Sequence, residues 1–204
     1  KAFNSQNVAL FGCGTIGRAL VNWLRMNHAI VTVYETKDEN RLWAWQNGAL
    51  LADSPEEAAR NKNFVIGASG NQSVDSAVIS NLMHGVFLIS ASSEQYEIDI
   101  NELSQQAKDK RELRNDLDML IGTYFILHPD RKIYLLANGY PINFWGMDSM
   151  PEEASDLIMS LILLAAIEVA RRTYPDPGID SKAVNELAEK YNVAGKFLEL
   201  HRQG

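Results

Sequence analysis

Three glycines, Gly12, Gly14 and Gly17, follow the short apolar run Val8-Ala9-Leu10-Phe11 and pass directly into a helical pattern. The spacing G-x-G-x-x-G lets a backbone come close to a pyrophosphate. The first glycine permits a tight turn, the second removes the side chain where a phosphate sits, and the third lets the helix pack against the strand. The helix that follows presents unpaired N–H groups to the anion. Cys13, Thr15 and Ile16 fill the variable positions of the loop. Twenty-three positions after Gly12, the apolar run Ile30 to Tyr34 ends in Glu35. An acid about 20 residues beyond the glycines accepts hydrogen bonds from an adenosine ribose. Its charge also repels a 2′-phosphate, and no arginine follows until Arg41. The glycine loop and Glu35 together predict NAD rather than NADP.

The other reactive side chains lead to less. Cys13 stands beside a helix N-terminus, which favours a thiolate, but it occupies a spacer position of the loop. His28, His84, His128 and His201 lie in turns or the tail, with no carboxylate or nucleophile paired to them in the sequence. Asp148 is the nearest acid to the expected nicotinamide end and a candidate base, although helix capping suits it better. Trp43 and Trp45, on a predicted helix near Glu35, are placed to flank an adenine or simply to pack. The sequence thus assigns no catalytic residue and no metal ligand.

These residues need a sheet to position them. Val8 to Phe11, Ile30 to Tyr34, Phe64 to Ile66 and Val86 to Ile89 read as buried parallel strands. Ile16 to Met26 reads as the first crossover helix, with Ile16, Leu20, Trp23 and Leu24 as its apolar stripe. Asn40 to Asn47 reads as a second helix stopped by Gly48, and Ser54-Pro55-Glu56-Glu57 as the capped start of a third. The loops Gly67 to Asn71 and Ser90 to Ser93 then fall at strand ends around one crevice. Glu97 to Arg114, rich in charge, reads as a solvated helix. Thr123 to Leu127 and Lys132 to Leu136 form a hairpin across His128-Pro129-Asp130-Arg131. A long helix is predicted from about Met150 to Tyr174, capped by Asp148 or Ser149, and a final amphipathic helix from Ser181 to Leu200. The reading is an α/β, Rossmann-type doubly wound parallel sheet with C-terminal helices. Its domains are a dinucleotide-binding domain over 1–150 and a helical segment over 151–204.

The 204 residues carry a net charge of −7 and no basic run, which argues against nucleic acid or an anionic membrane as partner. The single cysteine excludes an internal disulfide and fits a reducing, cytoplasmic setting. No signal peptide is visible, and Lys1 in place of methionine suggests an excised or processed piece. Leu157 to Ala170 is apolar nearly all round, too short for a membrane span and interrupted by Ser160 and Glu168, so burial against a partner is expected.

Several of these residues together resemble a known family, the NAD-binding domain of S-adenosyl-L-homocysteine hydrolase. The resemblance rests on Gly12-Cys13-Gly14-Thr15-Ile16-Gly17, on Glu35 with Asn40 and Gly48, on Tyr96-Glu97-Ile98-Asp99, and on Leu135-Leu136-Ala137-Asn138-Gly139-Tyr140-Pro141-Ile142-Asn143. It implies that Gly12 to Gly17 hold the pyrophosphate and that Glu35 and Asn40 hold the adenosine ribose. Ala91, Ser92 and Ser93 would line the nicotinamide end, with Asn143 on the carboxamide. The family has a glycine and a histidine where this chain has Ser92 and Ser93, and a histidine at Met150. The family's substrate domain and its C-terminal lysine and tyrosine find no match here. The expectation is therefore NAD binding by a fragment or reduced relative, belonging to one-carbon metabolism, with the hydrolase cycle unassigned. Residues 157–170 would pack in a homodimer or on the missing substrate domain. The alternatives are a non-catalytic NAD-sensing module and a small NAD-dependent dehydrogenase.

Overall fold

Val8 and Leu10 belong to one buried cluster, Ala9 and Phe11 to another, and all four are at most 1% exposed. Such a strand, β1 (Asn7–Phe11), is covered on both faces, as expected of a parallel sheet with helices on either side. In the computed structural model, which describes residues 3–145, 152–171 and 181–201, the chain forms two compact units, Lys1–Met147 and Asp148–Gly204.

The first unit is built on an eight-stranded sheet. After β1 come α1 (Thr15–Met26), β2 (Ile30–Tyr34), α2 (Asp38–Gln46), the two-residue β3 (Leu50–Leu51) and α3 (Pro55–Ala59). β4 (Phe64–Gly67), α4 (Ser76–Asn81), β5 (Val86–Ser90) and α5 (Ile100–Gln106) follow, and then β6 (Ala107–Arg114), β7 (Leu120–Leu127) and β8 (Arg131–Leu136). The spatial order is β3-β2-β1-β4-β5-β8-β7-β6. Strands β3 to β8 along that order are parallel, while β7 runs antiparallel to both β8 and β6. The chain moves outward from β1 to β3 and then returns to lay β4 on the other side of β1. The switch point between β1 and β4 opens a crevice at the carboxyl ends of the strands.

Local chemistry accounts for the starts of three helices. Ser54 Oγ accepts the Glu57 N–H at 3.2 Å and Pro55 occupies the first turn of α3. Asp75 and Asp99 cap α4 and α5 through the N–H groups of Val78 and Glu102. These caps satisfy donors that the helix cannot.

Three expectations are corrected. The buried residues of α1 are Gly17, Val21 and Leu24, while Ile16 and Trp23 are about half exposed, 52% and 50%. Close contact at Gly17 rotates the helix so that positions four and seven residues on face the sheet. Residues 97–114 are not one helix: α5 ends at Gln106 and the next eight residues are β6. Among the described residues β6 pairs with the apolar β7 alone and ends the sheet, and the charged side chains along it protect an edge strand from further pairing. Tertiary pairing thereby overrides a local pattern that reads as helical.

The third correction lies in the second unit, which contains α6 (Glu152–Arg171), α7 (Ser181–Lys190) and α8 (Val193–His201). The single helix expected over 181–200 is broken at Tyr191-Asn192, where Asn192 takes a φ of +47°, a conformation asparagine tolerates better than most residues. Leu187 and Val193 are buried within this unit. On α6, Met159, Ile162, Leu163 and Val169 are exposed, 56–63% in each case, so the surrounding helices cover only part of its apolar surface. The predicted caps Asp148 and Ser149, with Met150 and the helix end near Tyr174, lie outside the described residues. Among the described residues, no helix is long and apolar enough to cross a membrane.

Candidate dinucleotide site

The glycine loop joins β1 to α1 at the switch point. Gly12 has a φ of +90°, and a Cβ there would stand 2.6 Å from the Ala68 carbonyl oxygen and 2.7 Å from Ser69 Cα. At Gly17 a Cβ would collide with the Gly12 carbonyl oxygen. Both positions thus require glycine for backbone packing. Gly14 differs: nothing lies within 4 Å of its Cβ position. It is exposed, as are Thr15 and Ile16 after it. Fold packing leaves that surface open, and a ligand approaching it would meet the first-turn N–H groups of α1.

Glu35 follows β2 and turns back onto this loop. One carboxylate oxygen, Oε2, accepts the Cys13 N–H at 2.8 Å and the Asn40 Nδ2 at 3.2 Å. The other, Oε1, accepts the N–H groups of Thr36 at 2.7 Å and Lys37 at 2.9 Å. Burial works against the charge, but the donors Lys37, Cys13, Thr36 and Asn40 outweigh it and hold the carboxyl below its ordinary range. Asn40 sits in the first turn of α2 with its Oδ1 accepting Arg18 NH2 at 2.8 Å. The Arg18 guanidinium lies over the Trp43 ring, 5.1 Å from its centroid. Asn40 is oriented from both sides, since its oxygen is held by Arg18 and its nitrogen by Glu35. Trp43 is partly buried against the α1–α2 core, whereas Trp45 is exposed.

Cys13 is fully buried. Burial raises its thiol above the ordinary value and the neighbouring Glu35 charge adds to this, against a smaller opposing effect of Arg18. The helix-terminus argument for a thiolate is therefore overridden by desolvation.

The loop after β5 carries Ala91, Ser92 and Ser93. Ala91 N donates to the Gly67 carbonyl at 2.7 Å, fixing this loop beside the end of β4. Ser92 is buried; its hydroxyl lies 3.2 Å from Ser90 Oγ and donates to the Glu94 carbonyl at 3.1 Å. Ser93 is exposed. Pro141 bridges to Ser90, and Asn143 follows in an exposed helical turn, Ile142–Phe144. The backbone therefore brings Asn143 to the carboxyl end of β5, near Ala91 to Ser93, while Glu35 and Asn40 stand across β1 on the β2 side.

The structure places one carboxylate differently from the sequence reading. Glu97, placed there at the start of a solvated helix, is fully buried and bonded to the loop after β4. The clue was its position next to the strand-like alternation Tyr96-Glu97-Ile98. A cleft of about 360 Å³ also lies between α5 and the β6–β7–β8 ladder, lined by Ile100, Lys110, Glu112, Thr123, Phe125 and Leu135 among others. None of the residues expected at the dinucleotide site lines it. His84 Nδ1 accepts the Lys132 N–H at 3.3 Å, a turn contact. Among the described residues, no cluster of three or more His, Cys, Asp or Glu is placed to hold a metal ion.

A parallel sheet with this switch point, a glycine turn closed by its neighbours and an ionised acid at the end of β2 defines a Rossmann-type dinucleotide-binding domain. Residues 2–148 match the family model described as S-adenosyl-L-homocysteine hydrolase, NAD binding domain. The chain belongs to that family, and its cofactor is NAD. It is 30% identical over 198 residues to the adenosylhomocysteinase of Aquifex aeolicus, covering 93% of this chain and 46% of that protein. An uncharacterised protein of Mycobacterium tuberculosis is 29% identical over 197 residues, covering 97% of this chain and 36% of that protein. The chain thus spans less than half the length of these curated relatives. Among solved structures, a dipicolinate synthase component from Bacillus halodurans is similar over 50% of this chain and 36% of that one, with 17% identity and a TM-score of 0.48.

Proposed function

We propose that this chain is the cofactor domain of an adenosylhomocysteinase-like protein, a fragment or reduced relative that binds NAD but lacks the substrate-side catalytic groups. The observation that carries the reading is the contrast within the glycine loop: Gly12 and Gly17 are closed by backbone while Gly14 opens onto empty space beside the head of α1. The pyrophosphate lies along Gly12, Cys13, Gly14, Thr15, Ile16 and Gly17. Glu35 and Asn40 take the adenosine ribose. Since the Glu35 carboxylate already accepts five hydrogen bonds, its full capacity, a ribose hydroxyl replaces the longest of these, the 3.3 Å contact from the Thr36 hydroxyl. Ala91, Ser92, Ser93 and Asn143 surround the nicotinamide end. Bound NAD supplies a hydride acceptor, and the residues of this chain hold and orient it.

The 1–150 region acts as the nucleotide domain and 151–204 as its helical appendage. The exposed apolar side chains of α6 are covered by a second copy of the chain or by a substrate domain. A second reading, a non-catalytic NAD-sensing module, is favoured by the loop after β5. Ser92 and Ser93 stand where the family carries glycine and histidine, and the Ser92 hydroxyl is committed to Ser90 and Glu94. Neither serine supplies the imidazole that the family has at that place.

Titration calorimetry with NAD and NADP tests the binding site. The expected result is NAD binding that weakens in Glu35→Ala; no binding, or an unchanged affinity in the variant, overturns it. Appearance of NADH absorbance on adding adenosine to the NAD-loaded protein favours an enzyme. Silence with intact NAD binding favours the sensing module.

A further inference from the structure

Glu97 is a fully buried carboxylate outside the set of residues assigned to the cofactor. Its Oε1 accepts the N–H groups of Ser69 at 2.6 Å and Gly70 at 2.7 Å, and its Oε2 accepts the hydroxyls of Ser69 at 3.0 Å and Ser73. Its main-chain carbonyl accepts the N–H groups of Ser73 and Val74, both at 2.9 Å. One residue therefore holds both ends of the loop that follows β4. The space around the carboxylate is tight, since a Cβ on Gly67 would lie 2.6 Å from Oε2.

Four donors fill the acceptor capacity of a carboxylate, and the side chain has no exposed surface. Glu97 consequently has nothing left to offer a ligand directly. Its influence passes through the loop. The Ala68 N–H donates to the Phe11 carbonyl at 2.8 Å, and Ala68 and Ser69 form the backbone surface that closes over Gly12. Gly70, with a φ of +71°, and Asn71 are exposed beyond it. By strand order this loop lies across β1 from β2, which carries Glu35. A dinucleotide laid over β1 with its adenosine on the β2 side presents its other half to this loop.

We propose that Glu97 is a positioning residue that shapes the loop after β4 to receive the nicotinamide half of NAD, and so sets how much more tightly the whole dinucleotide binds than its adenosine half. The proposal rests on the NAD site described above. Removing the carboxylate takes the shared acceptor from the Ser69 and Gly70 N–H groups and from the Ser69 and Ser73 hydroxyls, and the loop moves to find others. Glutamine keeps a carbonyl oxygen for those N–H groups, and the serine hydroxyls can rotate to accept from its amide.

The experiment measures the affinities of the full chain for NAD and for AMP by calorimetry, with hydrogen exchange at Ser69 and Gly70 read without nucleotide. In Glu97→Ala, NAD affinity falls at least tenfold, AMP affinity changes less than threefold, and both amides lose protection. Glu97→Gln restores most of the NAD affinity. Should Glu97→Ala fail to fold, the Ser69→Ala/Ser73→Ala double variant, which keeps the Ser69 and Gly70 N–H bonds to Glu97 and removes both hydroxyls, shows the same bias in smaller measure. Equal weakening of NAD and AMP, or no weakening, overturns the role of Glu97 while leaving the NAD site intact. Wild-type protein that binds neither nucleotide overturns the site and the role together.

Discussion

The Glu35 carboxylate accepts the backbone N–H of Cys13 at 2.8 Å, joining the end of β2 to the middle of the glycine loop after β1. The acid proposed to recognise a ribose thus also braces the loop proposed to hold the pyrophosphate. Glu35→Gln tests the two roles together. The amide keeps one acceptor oxygen but turns an NH2 toward backbone donors, so both NAD affinity and loop order decline. The expected loss in affinity is about tenfold, or ~1.4 kcal/mol, read by calorimetry. An affinity equal to wild type rejects the assignment.

The same carboxylate gives stability a pH dependence. Its folded-state value lies below the ordinary 4.5, so the unfolded chain binds a proton more readily than the folded one. The stabilisation is fully present above about pH 4.5 and is lost as pH falls through the lower folded value. Urea melts across this acidic window should show a steeper fall in wild type than in Glu35→Gln. Parallel curves reject Glu35 as a source of the slope.

Gly12 and Gly14 separate folding from binding. Gly12→Ala puts a Cβ against Ala68 and Ser69 at a positive φ, and strain of this kind costs about 1–3 kcal/mol. Gly14 is at φ −73°, with open space at its Cβ position. Gly14→Ala should therefore melt within a degree or two of wild type while binding NAD much more weakly. Thermal melts and calorimetry on the pair check this. A Gly14 variant that binds normally places the phosphate elsewhere.

Cys13 provides a chemical check on the packing of the loop. Burial, then the Glu35 charge, raise its thiol, so thiolate formation is suppressed at neutral pH. Reaction with a thiol reagent should be slow in the native protein and should accelerate only above the ordinary value of 9.0, or on unfolding. Rapid modification of the folded chain at pH 7 contradicts the buried loop.

The central strands and the glycine loop were legible because each is governed by local chemistry that one sequence displays. Val8 to Phe11 has to be buried on both faces, and Glu35 falls at a spacing imposed by one crossover helix. β6 was not legible, because Lys108 to Arg114 carries charge at nearly every position and, with the residues before it, reads as a solvated helix. Only its ladder with β7 makes it a strand. Glu97 was hidden for a related reason. A carboxylate reads as solvated until the donors that compensate its burial are known, and Ser69, Gly70 and Ser73 lie more than 20 residues away. The α1 stripe was misplaced because the contact between Gly17 and Gly12 outweighs the preference of Ile16 and Trp23 for the interior.

The apolar surface of α6 leads to the last prediction. Ile162 and Leu163 are 56% and 62% exposed, and neighbouring Met159 and Val169 extend the same greasy surface. Contiguous patches of this kind mark interaction sites, and the cover proposed for it in a solution of the chain alone is another copy. Sedimentation velocity at micromolar concentration should show a dimer. Ile162→Glu/Leu163→Glu, which places two charges at positions already open to water, should shift it to monomer without lowering the melting temperature of the nucleotide unit. NAD affinity should stay within threefold of wild type, because no α6 residue is assigned to the cofactor. A wild-type monomer under these conditions excludes the second copy and leaves a substrate domain as the proposed cover.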